Sequence, residues 1–129
     1  MVIFLFLKGK NLKKKFRIKK SNEIQQLIYN KTNVRNKYFI IYYKKNHEKL
    51  NFRYALSVPK KFGNAVNRNL MKRRIREVIK INSFDNQYDF FIIAKKNSNE
   101  LNFKEIKKKL ESLFENANIL GEKNDEIAK

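Results

Sequence analysis

The residues best suited to a specific chemistry lie between positions 60 and 80. Four of the seven arginines of the chain fall in this segment, and Glu77 is its single acidic residue. Those arginines are Arg68, Arg73, Arg74 and Arg76. The planar guanidinium group presents a fork of N–H donors that matches the oxygens of a phosphate. The segment therefore predicts binding to a polyanion.

Hydrophobic periodicity predicts that most of this segment is a helix over residues 65–81. At about 100° per residue, one face of that helix collects Met71, Ile75, Val78 and Ile79. The adjoining arc collects the cations Lys72, Arg73, Arg76 and Lys80, with Arg68 at its border. An ordinary amphipathic helix with a solvated basic side is the alternative. We favour polyanion binding because of the net charge of the chain, its basic N-terminal segment and the scarcity of acidic residues here. The helix N-terminus and the loop amides before it add further capacity for anions.

The charge of the whole chain supports the same interpretation. The 129 residues include 31 Lys and Arg against 12 Asp and Glu, which gives a formal net charge of +19. Such an excess repels itself unless a polyanion neutralises it. Nucleic acid is the commonest partner of this kind, and an anionic membrane surface is the second candidate. Residues 1–7 are apolar, but they are too few for a spanning helix and lack the order of a secretory signal. We therefore expect a cytoplasmic protein with no membrane partner.

A basic arm precedes the first predicted helix. Eight cations occur in the thirteen residues from Lys8 to Lys20, with Phe16 and Ile18 between them. The candidate binding residues of this arm are Lys13, Lys14, Lys15, Arg17, Lys19 and Lys20. We expect the arm to add to the polyanion-binding surface.

Residues for acid–base or metal catalysis are sparse. The chain has no cysteine and a single histidine, His47, so a metal site or a catalytic triad would depend on one residue. Asp85, Asp89 and His47 are the candidates for a self-sufficient nuclease, but one carboxylate without partners does not make a two-metal site. We expect Asp89 to mark a strand end and His47 to lie in a solvated loop. The sequence predicts no catalytic residue, metal site or cofactor in the protein itself.

The elements that must position these residues are three helices and three strands. In chain order they are a helix over 22–30 capped by Ser21, strands over 37–43 and 52–58, the helix over 65–81, a strand over 88–94, and a helix opened by the capping box of Asn102 and Glu105. The second strand alternates as a half-buried strand does, whereas the third is apolar on both faces and suits a central position. We expect the first two strands to form a meander and the middle helix to cross over to a parallel third strand.

This order predicts an α+β fold, an α/β sandwich in which helices pack against a small, mostly antiparallel sheet. The chain is long enough for one domain. We place a single domain, which carries the polyanion-binding residues, at residues 13–118. An N-terminal extension at 1–12 and a tail at 119–129 are expected to be flexible.

Residues 56–69 read LSVPKKFGNAVNRN and continue as LMKRRIRE to residue 77. This stretch resembles the signature of the bacterial ribonuclease P protein component, and the resemblance extends over roughly residues 13–117. It implies a small, ribosomal-protein-like sheet with a left-handed βαβ crossover. It also implies the protein subunit of a ribonucleoprotein that removes the 5′ leader of precursor tRNA. In that family the RNA subunit is the catalyst and requires Mg²⁺.

The resemblance also implies binding residues. The expected partners are the ribonuclease P RNA and precursor tRNA, with no obligate protein partner. The residues expected to contact RNA are Lys60, Lys61, Asn64, Arg68, Asn69, Lys72, Arg73, Arg74 and Arg76. The residues expected to line the groove for the leader are Ile24, Ile28, Ile40 and Tyr42, and Tyr42 is placed to stack on an unpaired base. Core packing remains the alternative for the three isoleucines.

Two residues depart from the family pattern. Leu70 replaces the second arginine of its Arg-Asn-Arg motif, and Arg74 stands where an apolar residue is usual. The two side chains lie about 40° apart on a helix, so we hypothesise that Arg74 restores the missing charge one turn later. Ile24 and Ile28 stand where phenylalanine is common, which predicts weaker stacking of the leader. A structural RNA-binding protein of the ribosome is the alternative function, since it would share the charge, the size and a related core.

Overall fold

A computed structural model describes residues 14–48 and 50–121 of the chain. These residues form helices α1 (Ser21–Tyr29), α2 (Ala65–Lys80) and α3 (Phe103–Ala117) and strands β1 (Asn33–Arg35), β2 (Phe39–Lys45), β3 (Arg53–Ser57) and β4 (Tyr88–Ala94). Short 3₁₀ turns occur at Lys14–Phe16, Lys60–Phe62 and Lys96–Glu100. The α+β class predicted from the sequence is confirmed.

The four strands form one sheet in the order β1-β2-β4-β3. β1 pairs with β2 and β2 with β4 in antiparallel fashion, whereas β3 and β4 are parallel. The predicted parallel pair joined by the middle helix is therefore confirmed. The predicted meander of the first two long strands is wrong, because β4 lies between β2 and β3. The apolar character of β4 on both faces explains this, since the central position buries both of its faces.

Strand β1 was not predicted. It has only three residues, and Val34 is the single apolar one among them. A segment this short carries no alternation that a sequence pattern can detect. It is held by its pairing with β2, in which Val34 faces Ile41.

The sheet is covered on both faces, and each face has its own core. The larger core includes Tyr54 and Phe90 of the sheet together with side chains of α2 and α3. The smaller core consists of Ile18, Leu27, Ala55 and Phe91, beneath α1. Successive strand residues point to opposite faces, so Tyr54 and Ala55 belong to different cores. The description of this strand as half-buried is therefore wrong, because α1 covers the face that the pattern left to solvent.

One of the two predicted helix caps is present in the structure and the other is not. Asn102 Oδ1 accepts from the amide of Glu105 at 2.9 Å and Glu105 Oε1 accepts from the amide of Asn102 at 3.0 Å, which confirms the predicted capping box. Ser21 does not cap α1. The helix begins one residue earlier than predicted, so Lys20 occupies the cap position and its carbonyl accepts from the amides of Glu23 and Ile24.

The domain extends slightly beyond the boundary that the sequence indicated. Ile119 is fully buried, Leu120 forms an antiparallel bridge with Phe84, and the Gly121 amide donates to the carbonyl of Ser83 at 2.9 Å. These three residues were assigned to a flexible tail, and the structure corrects that assignment because they close the larger core. Residues 1–12 and 122–129 lie outside the described residues. In the part of the chain that is described, no helix has the length and apolar character to cross a membrane.

Candidate nucleic-acid interface

The segment that carries the signature forms the start of α2. After β3, a 3₁₀ turn buries Phe62 and leaves Lys60 and Lys61 exposed. Asn64 then caps the helix, since its Oδ1 accepts from the amide of Asn67 at 2.9 Å. Asn64 was predicted to bind RNA, and its side-chain oxygen is engaged in this capping bond. The lysines of the turn lie directly before the positive end of the helix dipole, which favours an anion.

Helix α2 buries the stripe that the sequence predicted, Met71, Ile75, Val78 and Ile79. Its cations divide between two flanks of that stripe. Lys72 and Arg76 lie on one flank by helical geometry, with Arg68 at its border and exposed Asn69 and Arg73 further round. Arg74 lies on the other flank, where it lines a cleft with Asn67, Leu70 and Asn99. The predicted RNA-binding cations of α2 therefore do not form a single face.

The described part of the basic arm, from Lys14 onward, lies along the outer edge of β3. The ring of Phe16 stacks on that of Phe52 with centroids 4.7 Å apart, and Ile18 is buried in the smaller core. Between them, Arg17 forms a parallel bridge with Tyr54, and the Ile18 amide donates to the Tyr54 carbonyl at 2.8 Å. The two apolar residues of the arm thus anchor it. Its cations Lys14, Lys15, Arg17, Lys19 and Lys20 are exposed, and Lys13 lies outside the described residues.

Cations of the arm and of one flank of α2 act electrostatically on the hydroxyl of Tyr54. Burial raises the pKa of this hydroxyl, and the charges of Arg17 and Arg76 act in the opposite direction. Its oxygen is buried and has no hydrogen-bond partner in the described part of the chain. Two guanidinium groups from separate elements therefore lie near one point. Arg68, Lys72 and Arg76 follow one another at intervals of four residues along α2, and Arg17 is bridged to Tyr54 from the arm. We call these four cations the arm–helix surface.

A groove of about 710 Å³ opens beside the turn that precedes α2. Its apolar lining includes Ile40, Pro59 and Ile93, and its cations are Lys61, Lys95 and Lys96. An apolar surface flanked by lysines suits single-stranded RNA or DNA. The bases pack on the apolar side chains, and the phosphates pair with the lysines. The sequence analysis did not find Lys95 and Lys96. Two consecutive lysines at the end of a buried strand were the available signal.

The four residues predicted to line a leader groove lie on the α1 side of the sheet, but only one lines this groove. Ile40 does so, and Tyr42 follows on the same face of β2. Ile24 and Tyr42 are half-buried against the smaller core. Ile28 is 40% exposed at the end of α1. Ile24 therefore mainly serves to pack the smaller core, whereas the side chains of Ile28 and Ile40 retain surface that a ligand can reach.

The candidates for a protein-borne nuclease do not come together. Asp89 is buried, and its carboxylate accepts from Arg53 Nη2 at 2.7 Å and from Asn46 Nδ2 at 3.1 Å. Asp85 Oδ1 accepts from the amide of Gln87, and His47 lies exposed in a turn. Within residues 14–48 and 50–121, no three His, Cys, Asp or Glu side chains form a group that could hold a metal ion. These residues do not fit a metal held by the protein itself.

Comparison with known proteins identifies relatives for nearly all of this domain. The sequence model of the ribonuclease P family matches residues 12–118. A ribonuclease P protein component of Macrococcus caseolyticus (strain JCSC5402) is 43% identical over 104 residues, which cover 80% of this chain and 90% of the relative. The ribonuclease P protein structure from Staphylococcus aureus superposes with a TM-score of 0.76 at 36% identity, covering 82% of this chain and 98% of that one. The one from Thermotoga maritima gives a TM-score of 0.70 at 26% identity, with coverage of 81% and 98%.

Proposed function

Because the chain belongs to the ribonuclease P protein family, a protein component that takes part in tRNA processing, we propose that it binds both the catalytic RNA and the 5′ leader of precursor tRNA. In this proposal the protein raises the affinity of the ribonucleoprotein for its substrate. The hydrolysis of the phosphodiester bond is carried out by the RNA subunit. A cytoplasmic location follows from this role.

The observation that carries the proposal is the arm–helix surface. Arg17 is bridged to Tyr54 from the arm, the charges of Arg17 and Arg76 both act on the buried hydroxyl of that residue, and no carboxylate is paired with either arginine in the described residues. Fixed cations of this density lower their mutual repulsion by binding phosphates, and they release counterions as they do so. We assign this surface, with Lys60, Asn69 and Arg73 beside it, to the backbone of the catalytic RNA.

The groove beside Lys61 is assigned to the leader. A single-stranded segment would pack its bases on Ile40 and Ile93 and its phosphates against Lys61, Lys95 and Lys96. Ile24, Ile28 and Tyr42 border the same side of the sheet and extend the apolar surface toward α1. Aliphatic side chains do not stack on bases as aromatic rings do. We therefore expect the lysines to contribute a large share of the affinity for the leader.

Mg²⁺ is required by the RNA-containing enzyme in this proposal and is held by RNA. When bound, it supplies the Lewis acid and the activated water that phosphodiester hydrolysis needs. The contribution of the protein is electrostatic: its cations hold two RNA molecules together and replace part of the Mg²⁺ that would otherwise screen their phosphates.

The test is cleavage of precursor tRNA at low Mg²⁺ by the catalytic RNA alone, the protein alone and the mixture. We expect only the mixture to cleave at the 5′ junction, and we expect Arg68→Ala to lose most of that gain. Lys108→Ala is the matched control, because it removes an exposed cation of α3 away from both surfaces. Thermal unfolding of each variant shows that the domain remains folded.

Two results would overturn the proposal. Cleavage by the protein alone would reveal a nuclease site in the chain. Tight RNA binding without any gain in cleavage by the mixture would favour the ribosomal or general RNA-binding alternative.

A further inference from the structure

We propose that the chain carries a third RNA-binding surface at the β1–β2 turn, formed by Lys37 and Lys109 together with Lys95, which also lines the groove assigned to the leader. We call it the turn cluster. It lies near β1, whereas the arm–helix surface lies near β3, at the opposite edge of the sheet. Its ligand is the phosphodiester backbone of RNA. The inference rests on the proposed function and adds to it a site that none of the predicted RNA-binding residues occupies.

Asn36 holds the turn cluster together. Its Oδ1 accepts from the amides of Tyr38 and Phe39, both at 2.8 Å, and this fixes the turn between β1 and β2. Its Nδ2 donates to the carbonyl of Lys109 in α3 at 3.3 Å. Its own carbonyl accepts from Lys95 Nζ at 2.9 Å. One side chain and its backbone therefore connect the turn, the end of β4 and α3.

The ring of Tyr38 holds two further ammonium groups. Lys37 Nζ lies 5.6 Å from the ring centroid and Lys109 Nζ lies 5.7 Å from it. Tyr38 is itself half-buried against the larger core, so the ring that both lysines contact is fixed in position. An ammonium group held over an aromatic ring keeps its charge but loses part of its conformational freedom. Lys37 and Lys109 are therefore partly ordered before any ligand arrives, which lowers the entropic cost of binding.

No carboxylate neutralises the turn cluster in the described residues. The ion pairs there use Arg53, Lys80 and Lys107, none of which belongs to the cluster. Glu105, one turn before Lys109 on α3, is engaged in the capping box with Asn102. Three elements thus bring like charges together and keep them there without a counterion from the protein. An extended polyanion provides several phosphates at once and suits this arrangement better than a single small anion.

The position of Lys95 indicates how RNA would reach the turn cluster. Lys95 lines the groove assigned to the leader, and its Nζ is bound to the turn. A strand that leaves the groove past Lys95 meets Lys37 and Lys109 next. The turn cluster would then bind the part of the leader that lies upstream of the groove. A segment of the catalytic RNA has the same chemistry, so the test separates these two sources.

The experiment uses the full chain with Lys37→Gln and Lys109→Gln combined, which removes two charges and keeps most of the side-chain length. The control is Lys104→Gln with Lys108→Gln, which removes two exposed charges from the outer side of α3. Binding is measured against salt for the assembled ribonucleoprotein with precursor tRNAs of short and long leader, and for the protein with the catalytic RNA alone.

We expect the turn-cluster variant to bind the long-leader substrate about tenfold more weakly at low salt, with a salt slope lower by about 1.4, or roughly 0.7 for each lost contact to a single strand. The short-leader substrate should be unaffected. If instead the affinity for the catalytic RNA falls, the surface still binds RNA and the catalytic RNA is the ligand. If the variant matches its control on every RNA, the inference is overturned.

The same measurements keep this inference separate from the proposed function. If Arg68→Ala abolishes the gain in cleavage while the turn-cluster variant behaves as its control, the proposed function stands and the inference about the turn cluster is overturned. If Arg68→Ala has no effect on cleavage or on RNA binding, the proposed function fails, and a salt slope lowered by the turn-cluster variant would then support this surface alone.

Discussion

Arg53 and Asp89 face each other in register across the parallel strands β3 and β4, joined by hydrogen bonds of 2.7 Å and 3.2 Å. The same guanidinium reaches Glu23 of α1 at 3.1 Å and 3.3 Å. The hydrogen bonds that Arg53 donates to the Asp89 carboxylate raise the pKa of Arg53, against the opposing effect of burial. One cation therefore ties the helix beside the candidate leader groove to two strands of the sheet.

Removing the charge of Asp89 should destabilise the fold strongly. Asp89→Asn leaves the Arg53 guanidinium, whose side chain is 12% exposed, with Glu23 as its one charged partner among the described residues. We expect the free energy of unfolding to fall by about 3 kcal/mol, because breaking one side of a buried pair leaves a charge uncompensated. Glu23→Gln should cost about 1 kcal/mol, because Glu23 is more exposed. Urea unfolding of both variants checks this, and equal losses for the two would contradict the assigned roles.

Replacing Lys31 by glycine should stabilise the chain. Lys31 follows the C-cap of α1 with a φ of 63°, in the left-handed region that costs a non-glycine residue about 1 kcal/mol. We expect Lys31→Gly to raise the free energy of unfolding by a large part of that amount. Lys31→Ala is the control for loss of the lysine side chain and should bring no gain. A Tm that rises equally in both variants would show that charge, and not backbone conformation, is responsible.

The buried hydroxyl of Tyr54 should make stability fall at high pH. Since burial raises its pKa above the ordinary value of 10.0, the unfolded chain releases this proton first. The stabilisation is complete below the pKa of the unfolded state and is lost as pH rises through the pKa of the folded state. Tyr54→Phe should therefore lose less stability than the parent as the pH rises above about 10. Tyr29→Phe, which removes an exposed hydroxyl, is the matched control. Urea unfolding across this range tests the difference.

Arg74 is predicted to substitute for the arginine that Leu70 replaces. Both side chains line one cleft beside α2, together with Asn67 and Asn99. Arg74→Ala should weaken binding to the catalytic RNA and lower the salt slope by about 0.9, the value for one phosphate contact on a duplex. Adding Leu70→Arg to that variant should restore the slope. An unchanged slope for Arg74→Ala would show that the cleft does not contact RNA.

Sequence patterns predicted the features that depend on neighbours along the chain. The buried stripe of α2 and the capping box of Asn102 are local, because residues three or four apart decide them. The place of β4 between β2 and β3 is not local, and neither is the burial of Ala55 beneath α1. In each case the partner surface comes from a distant part of the chain.

The same distinction applies to the candidate site. The cations of α2 were evident as a helix face, although their division into two flanks depends on where the helix packs. The charges of Arg17 and Arg76 act on one hydroxyl, that of Tyr54, because the stacking of Phe16 on Phe52 anchors the arm at the edge of β3. The turn cluster depends on Asn36, an ordinary turn residue in sequence whose amide reaches α3. No spacing in the sequence relates Lys37 to Lys109.

The arm has a consequence for the behaviour of the protein before RNA is bound. β3 is an edge strand, and its unpaired backbone groups are a template on which a second chain can add a strand. Through Arg17 and Ile18, the arm occupies the outer side of β3 at Tyr54, and its lysines repel another copy of this cationic chain. The segment that contributes cations for RNA binding therefore also hinders the pairing of β3 with β3 of another copy of the protein. Shortening it would cost solubility as well as affinity.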